Sequence, residues 1–175
     1  MEDREKLIQE RIKAEEAAEI VELRGVKQRV WDILTKEKNY DPSEIEIDPE
    51  FRLKLSDSEA AVSIDFVVTL PSASFMVIKC SSSSIESWER YVVSFARVVK
   101  DYQIPYAVVT DGDNARIMDA LAGTLVSESI KGLFERKDAI DKLKDFKKIP
   151  CPANRIEKEK RIMYAFESIK CPTVK

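Results

Sequence analysis

Hydrophobic positions recur at helical spacing in the first part of the chain. Ile8 and Ile12 are four residues apart, and Leu23, Val26, Val30 and Ile33 follow at intervals of three, four and three. This periodicity predicts a helix over residues 3–37, with Gly25 either bending it or dividing it in two. After a turn at Tyr40-Asp41-Pro42-Ser43 the pattern changes to alternation. Ile45, Ile47, Phe51, Leu53 and Leu55 define a strand over residues 45–55, in which Pro49 imposes a bulge or an edge position.

Two runs rich in β-branched residues, 61–70 and 75–80, predict strands covered on both faces, joined by a hairpin turn at Pro71-Ser72-Ala73-Ser74. Ile85, Trp88, Val92, Phe95, Val99 and Tyr102 then share one helical face. Ser83 with Glu86 has the spacing of a capping box and sets the start of that helix. Strands over 106–110, 115–121 and near 124–128 follow, with turns at Asp111-Gly112-Asp113 and Gly123, and then helices over 137–147 and 154–169. The expected fold class is α/β: a mixed sheet flanked by helices, in the order αβββαβ, with an accessory β-hairpin and C-terminal helices.

Composition narrows the classes. The 175 residues are 44% apolar and 35% charged, which suits one folded domain over residues 1–175, with a core at about 20–130 and a helical extension at about 131–175. No apolar run is long enough for a membrane span, and MEDREKLIQERIKAEE contains no apolar stretch of a secretory signal, so no membrane partner is expected. Cys80, Cys151 and Cys171 are odd in number and scattered, which argues against disulfides and zinc and for a reducing cytoplasm. The absence of histidine excludes His-based triads and His metal ligands, leaving carboxylates and lysine for any catalysis. Residues 1–60 carry 11 basic and 17 acidic side chains, whereas residues 131–175 carry 13 basic and 7 acidic. The basic end has two readings, phosphate contact or a solvated helix face. Glu157 and Glu159, interleaved with Lys158, Lys160 and Arg161, favour the solvated face.

The charges with the strongest chemical implication are Asp65 and Lys79, each set in an otherwise apolar run. A hairpin centred on Ser72 brings Asp65 opposite Lys79 and Val67 opposite Val77, all on one sheet face. One reading is a cross-strand ion pair, which contributes little net stability. The other is a phosphodiesterase centre, in which a carboxylate holds a hard cation and lysine positions water or phosphate. Ser81–Ser84 lies beside Lys79 at a helix start and reads either as an anion site or as ordinary capping.

At these residues the sequence resembles the PD-(D/E)xK nuclease superfamily, and within it the N-terminal nuclease domain of type I restriction enzyme R subunits. The resemblance lies in ELRGVKQRVWDIL (22–34), SIDFVV (63–68), FMVIKC (75–80), WERYVVSFARVV (88–99) and IPYAVVTDGDNARIMD (104–119). It implies a restriction-endonuclease-like fold, Mg²⁺-dependent cleavage of nucleic acid, Asp65 as metal ligand and Lys79 as the residue that positions water. Two departures stand against it. The family's Glu/Asp-x-Lys on the third strand is Val77-Ile78-Lys79 here, and its Gln-x-x-x-Tyr element has Ser87 before Tyr91. Glu22, as a supporting metal ligand, or Glu89, as a migrated carboxylate, could replace the missing acid. Glu86 is committed to capping, and Glu46 faces solvent. The expectation is therefore a degenerate nuclease fold that binds nucleic acid, a protein partner or a second copy of itself, with weak or no cleavage. The alternative is an active Mg²⁺-dependent nuclease using Glu22 or Glu89.

Overall fold

The structure, a computed structural model, describes residues 2–170. The expected C-terminal Cys171 lies outside them. Helix α1 (Glu2–Asp32) runs without a break through Gly25, whose Cβ position is open space. From Asp3 to Glu22 its side chains are exposed, whereas Val26, Val30, Ile33 and Leu34 enter the core. The helix closes with a π-helical turn, Ile33–Glu37, and Asn39 then adopts a left-handed conformation with φ 64°, which Asn tolerates better than most residues. Asp41 and Glu44 form a capping box around the 3-10 turn Pro42–Glu44.

The strand expected over 45–55 is two strands. β1 (Ile45–Ile47) belongs to the main sheet, and β2 (Glu50–Lys54) pairs with β3 (Glu59–Ser63) in a separate two-stranded sheet. The break is Asp48-Pro49. Asp48 has φ 49°, and proline has no N–H to continue the ladder. The strand expected over 61–70 divides in the same place, into β3 and β4 (Phe66–Thr69), with Ile64-Asp65 between them. The pairs Ile47↔Phe66 and Glu50↔Ser63 are centred on one turn, Ser56-Asp57, so the two halves form one long interrupted hairpin. Its interruption places Asp48 opposite Asp65, and the Asp48 N–H donates to the Asp65 carbonyl at 2.9 Å.

β5 (Ser74–Cys80), buried throughout, pairs antiparallel with β4 in the expected register, with Val67 opposite Val77. The chain then crosses through helix α2 (Glu89–Val98) to β6 (Tyr106–Thr110), which runs parallel to β5. β7 (Asn114–Asp119) and β8 (Thr124–Ser129) extend the sheet antiparallel, giving the order β1-β4-β5-β6-β7-β8. The expected Ser83–Glu86 capping box does not form. The serines bond locally instead: Ser83 N–H donates to Ser81 Oγ, and Ser84 Oγ donates to Glu86. A 3-10 turn, Glu86–Trp88, precedes α2.

Trp31 of α1 meets Phe66, and Trp88 beside α2 meets Lys79. Phe66 pairs with Ile78, the residue before Lys79, so α1 and α2 cover opposite faces of the sheet. Helix α3 (Arg136–Lys144) and helix α4 (Ala153–Lys170) follow. The solvated face expected around Glu157 and Glu159 holds only in part. Glu159 is 1% exposed and faces α2, where Arg97 Nη1 donates to it at 2.7 Å and Ser94 Oγ at 2.5 Å.

The turn glycines Gly112 and Gly123 adopt φ 96° and 72°, as their place after Asp111 and between β7 and β8 predicts. At Gly112 a Cβ would also lie 3.0 Å from Arg29 Cδ, and Arg29 is tied there by its bond to the Gly112 carbonyl. Gly112→Ala is therefore expected to lower stability by about 1–3 kcal/mol, read as a shifted midpoint in urea unfolding.

Candidate active site

Asp65 and Lys79 come together as their pattern predicts, where the main sheet meets the interrupted hairpin. Each is 7% exposed, and Lys79 Nζ lies 3.5 Å from Asp65 Oδ2. The same oxygen accepts the Cys80 N–H at 2.6 Å, a shorter and better bond than the ion pair. The Lys79 ammonium also lies 4.8 Å from the centre of the Trp88 ring, a cation–π contact. Trp88 thus packs on the sheet, as expected of an apolar-face tryptophan, and in doing so meets the lysine.

The other oxygen, Asp65 Oδ1, faces a cation that sequence reasoning missed. Lys27 Nζ on α1 is 3.6 Å away, and the same ammonium donates to Asp48. Burial works against the charge on Lys27, but the hydrogen bond to Asp48 and the fields of Asp65 and Asp48 outweigh it, so its pKa is raised. Lys27 follows the buried Val26 directly, so its stem leaves the core edge of α1 toward the hairpin break. Asp48 could have been found by reading Leu55-Ser56-Asp57-Ser58 as a hairpin turn, since that register alone sets it opposite Asp65.

The two carboxylates proposed as substitutes stand elsewhere. Glu22 is exposed and makes no hydrogen bond or ion pair among the described residues. Glu89 accepts from Arg116 Nε at 2.5 Å, and Arg116 sits on β7, two strands from β5, where it also holds Glu128. Val77 is fully buried against Val67. Cys80 is buried on the opposite sheet face from Lys79. Burial, with the Asp65 carboxylate adding to it, pushes its thiol pKa far up, so it remains an unreactive thiol. Tyr91 donates to the Ser63 carbonyl and to Glu167 of α4, and its pKa is raised by burial and by that glutamate.

The donor set does not fit a hard divalent cation. Such an ion takes six or more oxygen ligands, several of them carboxylate. Here both Asp65 oxygens face cationic groups or an amide, Asp48 is engaged by Lys27, and the third-strand position is a buried valine. Two ammoniums already balance two carboxylates. No cluster of three His, Cys, Asp or Glu side chains suited to a metal occurs among the described residues.

In front of Lys27 and Asp48 opens a cleft of about 540 Å³, walled by Trp31 and Gln28 of α1, Ile47 of β1 and Phe66 of β4, with Arg24 on its rim. No helix among the described residues is long and apolar enough to cross a membrane.

The curated proteins contain no match to this chain. Among solved structures, a fragment assigned as an HsdR subunit of a type I restriction enzyme from Vibrio vulnificus YJ016 is similar at 16% identity and a TM-score of 0.48. That similarity covers 65% of this chain and 23% of the other, so this chain spans about a quarter of that fragment's length. The family model for the type I restriction enzyme R protein N terminus (HSDR_N) matches residues 24–133. The match takes in Lys27, Asp48, Asp65, Val77 and Lys79 and well over half of the chain, which therefore belongs to the family of type I restriction enzyme R protein N termini.

Proposed function

We propose that this chain is a degenerate nuclease-fold module that binds nucleic acid and cleaves it weakly or not at all. The observation that carries this reading is the ammonium of Lys27 between Asp48 and Asp65, where a nuclease of this resemblance would need a metal ion. Mg²⁺ binding here would require displacing Lys27 and finding a carboxylate that Val77 does not supply. The residues that remain act by charge and shape. Asp65, fixed by the Cys80 amide, holds Lys79 against Trp88, and Lys27 braces α1 against the hairpin break. The chain acts as one domain, with α4 packed on α2 as its extension. The family's description names R proteins of type I restriction enzymes, so a larger restriction complex is the natural setting for a partner chain.

One observation favours the alternative of an active nuclease. Asp48 stands opposite Asp65, shares the Lys27 ammonium with it and offers a second carboxylate. The two readings separate in one experiment, Mn²⁺ titration followed by electron paramagnetic resonance, with a parallel incubation of supercoiled DNA in Mg²⁺ or Mn²⁺. No Asp65-dependent Mn²⁺ binding up to millimolar concentration, and no cleavage beyond that of Asp65→Ala, is the expected result. Saturable binding and nicking that both vanish in Asp65→Ala would establish the enzyme.

A further inference from the structure

The cleft beside the charged cluster has features that neither the ion pairs nor the core explains. Its apolar wall is Trp31, half-buried and backed by Phe66 at a ring-centre distance of 6.5 Å, together with Ile47, which is 56% exposed. An isoleucine and a half-buried tryptophan left in an open concavity mark a surface that an apolar or aromatic group can cover. The polar groups differ in how far they are committed. Lys27 is neutralised by Asp48 and Asp65. Gln28 Nε2 donates to Asp32 at 3.2 Å, which fixes the amide and leaves its oxygen free to accept. Arg24 is exposed and has no hydrogen bond or ion pair among the described residues. Its guanidinium is the uncompensated charge of the cleft and calls for an anion.

We infer that this cleft is a pocket for one unpaired nucleotide, with the base against Trp31 and Ile47 and the phosphate on Arg24. The inference rests on the nucleic-acid reading above and gives it a substrate class: a single strand, an overhang or a flipped-out base, not a continuous duplex. A flat aromatic ring joined to an anion is the ligand that an aromatic wall and a free arginine recognise together. The volume, about 540 Å³, lies within the ordinary range for small-molecule sites and suits a single nucleotide. Within a duplex both faces of each base are covered by stacking, so only an extruded or terminal base can present a face to Trp31. The Asp48 carboxylate at the back uses one oxygen for Lys27 and directs a second phosphate away, which leaves the Arg24 side as the entry for the backbone.

The test uses the full chain and fluorescence anisotropy with three labelled probes: a single-stranded oligonucleotide, the blunt duplex of the same sequence, and that duplex with a single-stranded overhang. The single strand and the overhang are expected to bind at least about tenfold more tightly than the blunt duplex. Arg24→Glu and Trp31→Leu are each expected to weaken the single-strand complex by about tenfold or more. Arg24→Glu alters an exposed side chain, so it remains decisive if Trp31→Leu disturbs folding, and circular dichroism reports that folding directly. Arg52→Ala, on β2 away from the cleft, is expected to leave binding unchanged. Nucleic-acid binding that is equal in the wild type and both cleft variants would overturn the pocket while leaving the nucleic-acid reading intact. Failure of all three probes would overturn both. If that failure came with an Arg24-dependent response to an acidic, aromatic peptide, the cleft would belong to a protein partner instead.

Discussion

Replacing Lys27 with methionine is expected to convert the surroundings of Asp65 into a divalent-cation site. The wild-type cluster is neutral, with the ammoniums of Lys27 and Lys79 facing the carboxylates of Asp48 and Asp65. Methionine keeps the aliphatic stem and removes one charge, leaving two carboxylates opposite each other across the hairpin break with one counter-ion between them. Hard-cation affinity rises with the number of charged oxygen ligands that are free to turn inward, so Mn²⁺ affinity should rise by about tenfold or more over the wild type. Adding Asp48→Ala should abolish the gain. Val77→Glu in the Lys27→Met background should raise affinity again where the buried strand accepts the larger side chain. Electron paramagnetic resonance of free Mn²⁺ measures all four proteins. A Lys27→Met protein that folds and binds no more Mn²⁺ than the wild type would show that the ammonium is not standing in for a cation. The stability cost should be modest, about 1 kcal/mol, because Lys27 is partly exposed and Asp65 retains the Cys80 amide and Lys79. The raised pKa of Lys27 fixes the sign of the pH effect. Its contribution is fully present below the ordinary lysine value of about 10.4 and is lost only as pH rises through the higher folded value. The difference between wild type and Lys27→Met should therefore be flat across neutral pH.

The hydrophobic pattern made most of the sheet legible because its central strands are buried on both faces and bounded by turns. β6 spans the expected residues 106–110, and the register that joins Asp65 to Lys79 follows from one short turn around Ser72. The first hairpin was not legible in the same way. Alternation continues across Asp48-Pro49 and across Ile64-Asp65, so periodicity alone shows two long strands where the backbone leaves the sheet. Only the left-handed conformation of Asp48 and the missing N–H of Pro49 mark the departure. Half of the charged cluster lies at that break, and Lys27 comes from a helix whose side chains read as ordinary amphipathic positions. The sequence places Glu22 and Glu89 beside buried helical faces. A helical face says nothing of a competing partner such as Arg116, which comes from a strand 27 residues further along the chain.

Arg97→Met is expected to cost more stability than any surface change in the chain, about 3–5 kcal/mol. Arg97 is 4% exposed and Glu159 1%, and their ion pair joins α2 to α4. Removing the guanidinium leaves a buried carboxylate with only Ser94 and the more distant Arg155, 3.6 Å away, to hold it. It also removes the donor to the Ala120 carbonyl. Glu159→Gln should be milder, since the amide can still pair with Ser94 or Arg97. The double variant Arg97→Met/Glu159→Met should recover part of the loss, and a double-mutant cycle in urea would separate the pair from the desolvation it offsets. Acid should weaken the same contact. Burial pushes the Glu159 pKa up most, but the bonds from Ser94 and Arg97 win and hold it below the ordinary value. Its stabilising contribution is therefore present above about pH 4.3 and is lost as pH falls through the lower folded value, a slope that Glu159→Gln should lack. The consequence reaches the candidate site. Tyr91, on the same helix as Arg97, is bonded both to Glu167 of α4 and to Ser63 at the end of β3, two residues before Asp65. Loosening α4 should thus weaken single-strand binding in anisotropy even though neither Arg97 nor Glu159 lines the cleft. Binding that stays at the wild-type level in a folded Arg97→Met protein would show that the C-terminal helices support the core without positioning the site.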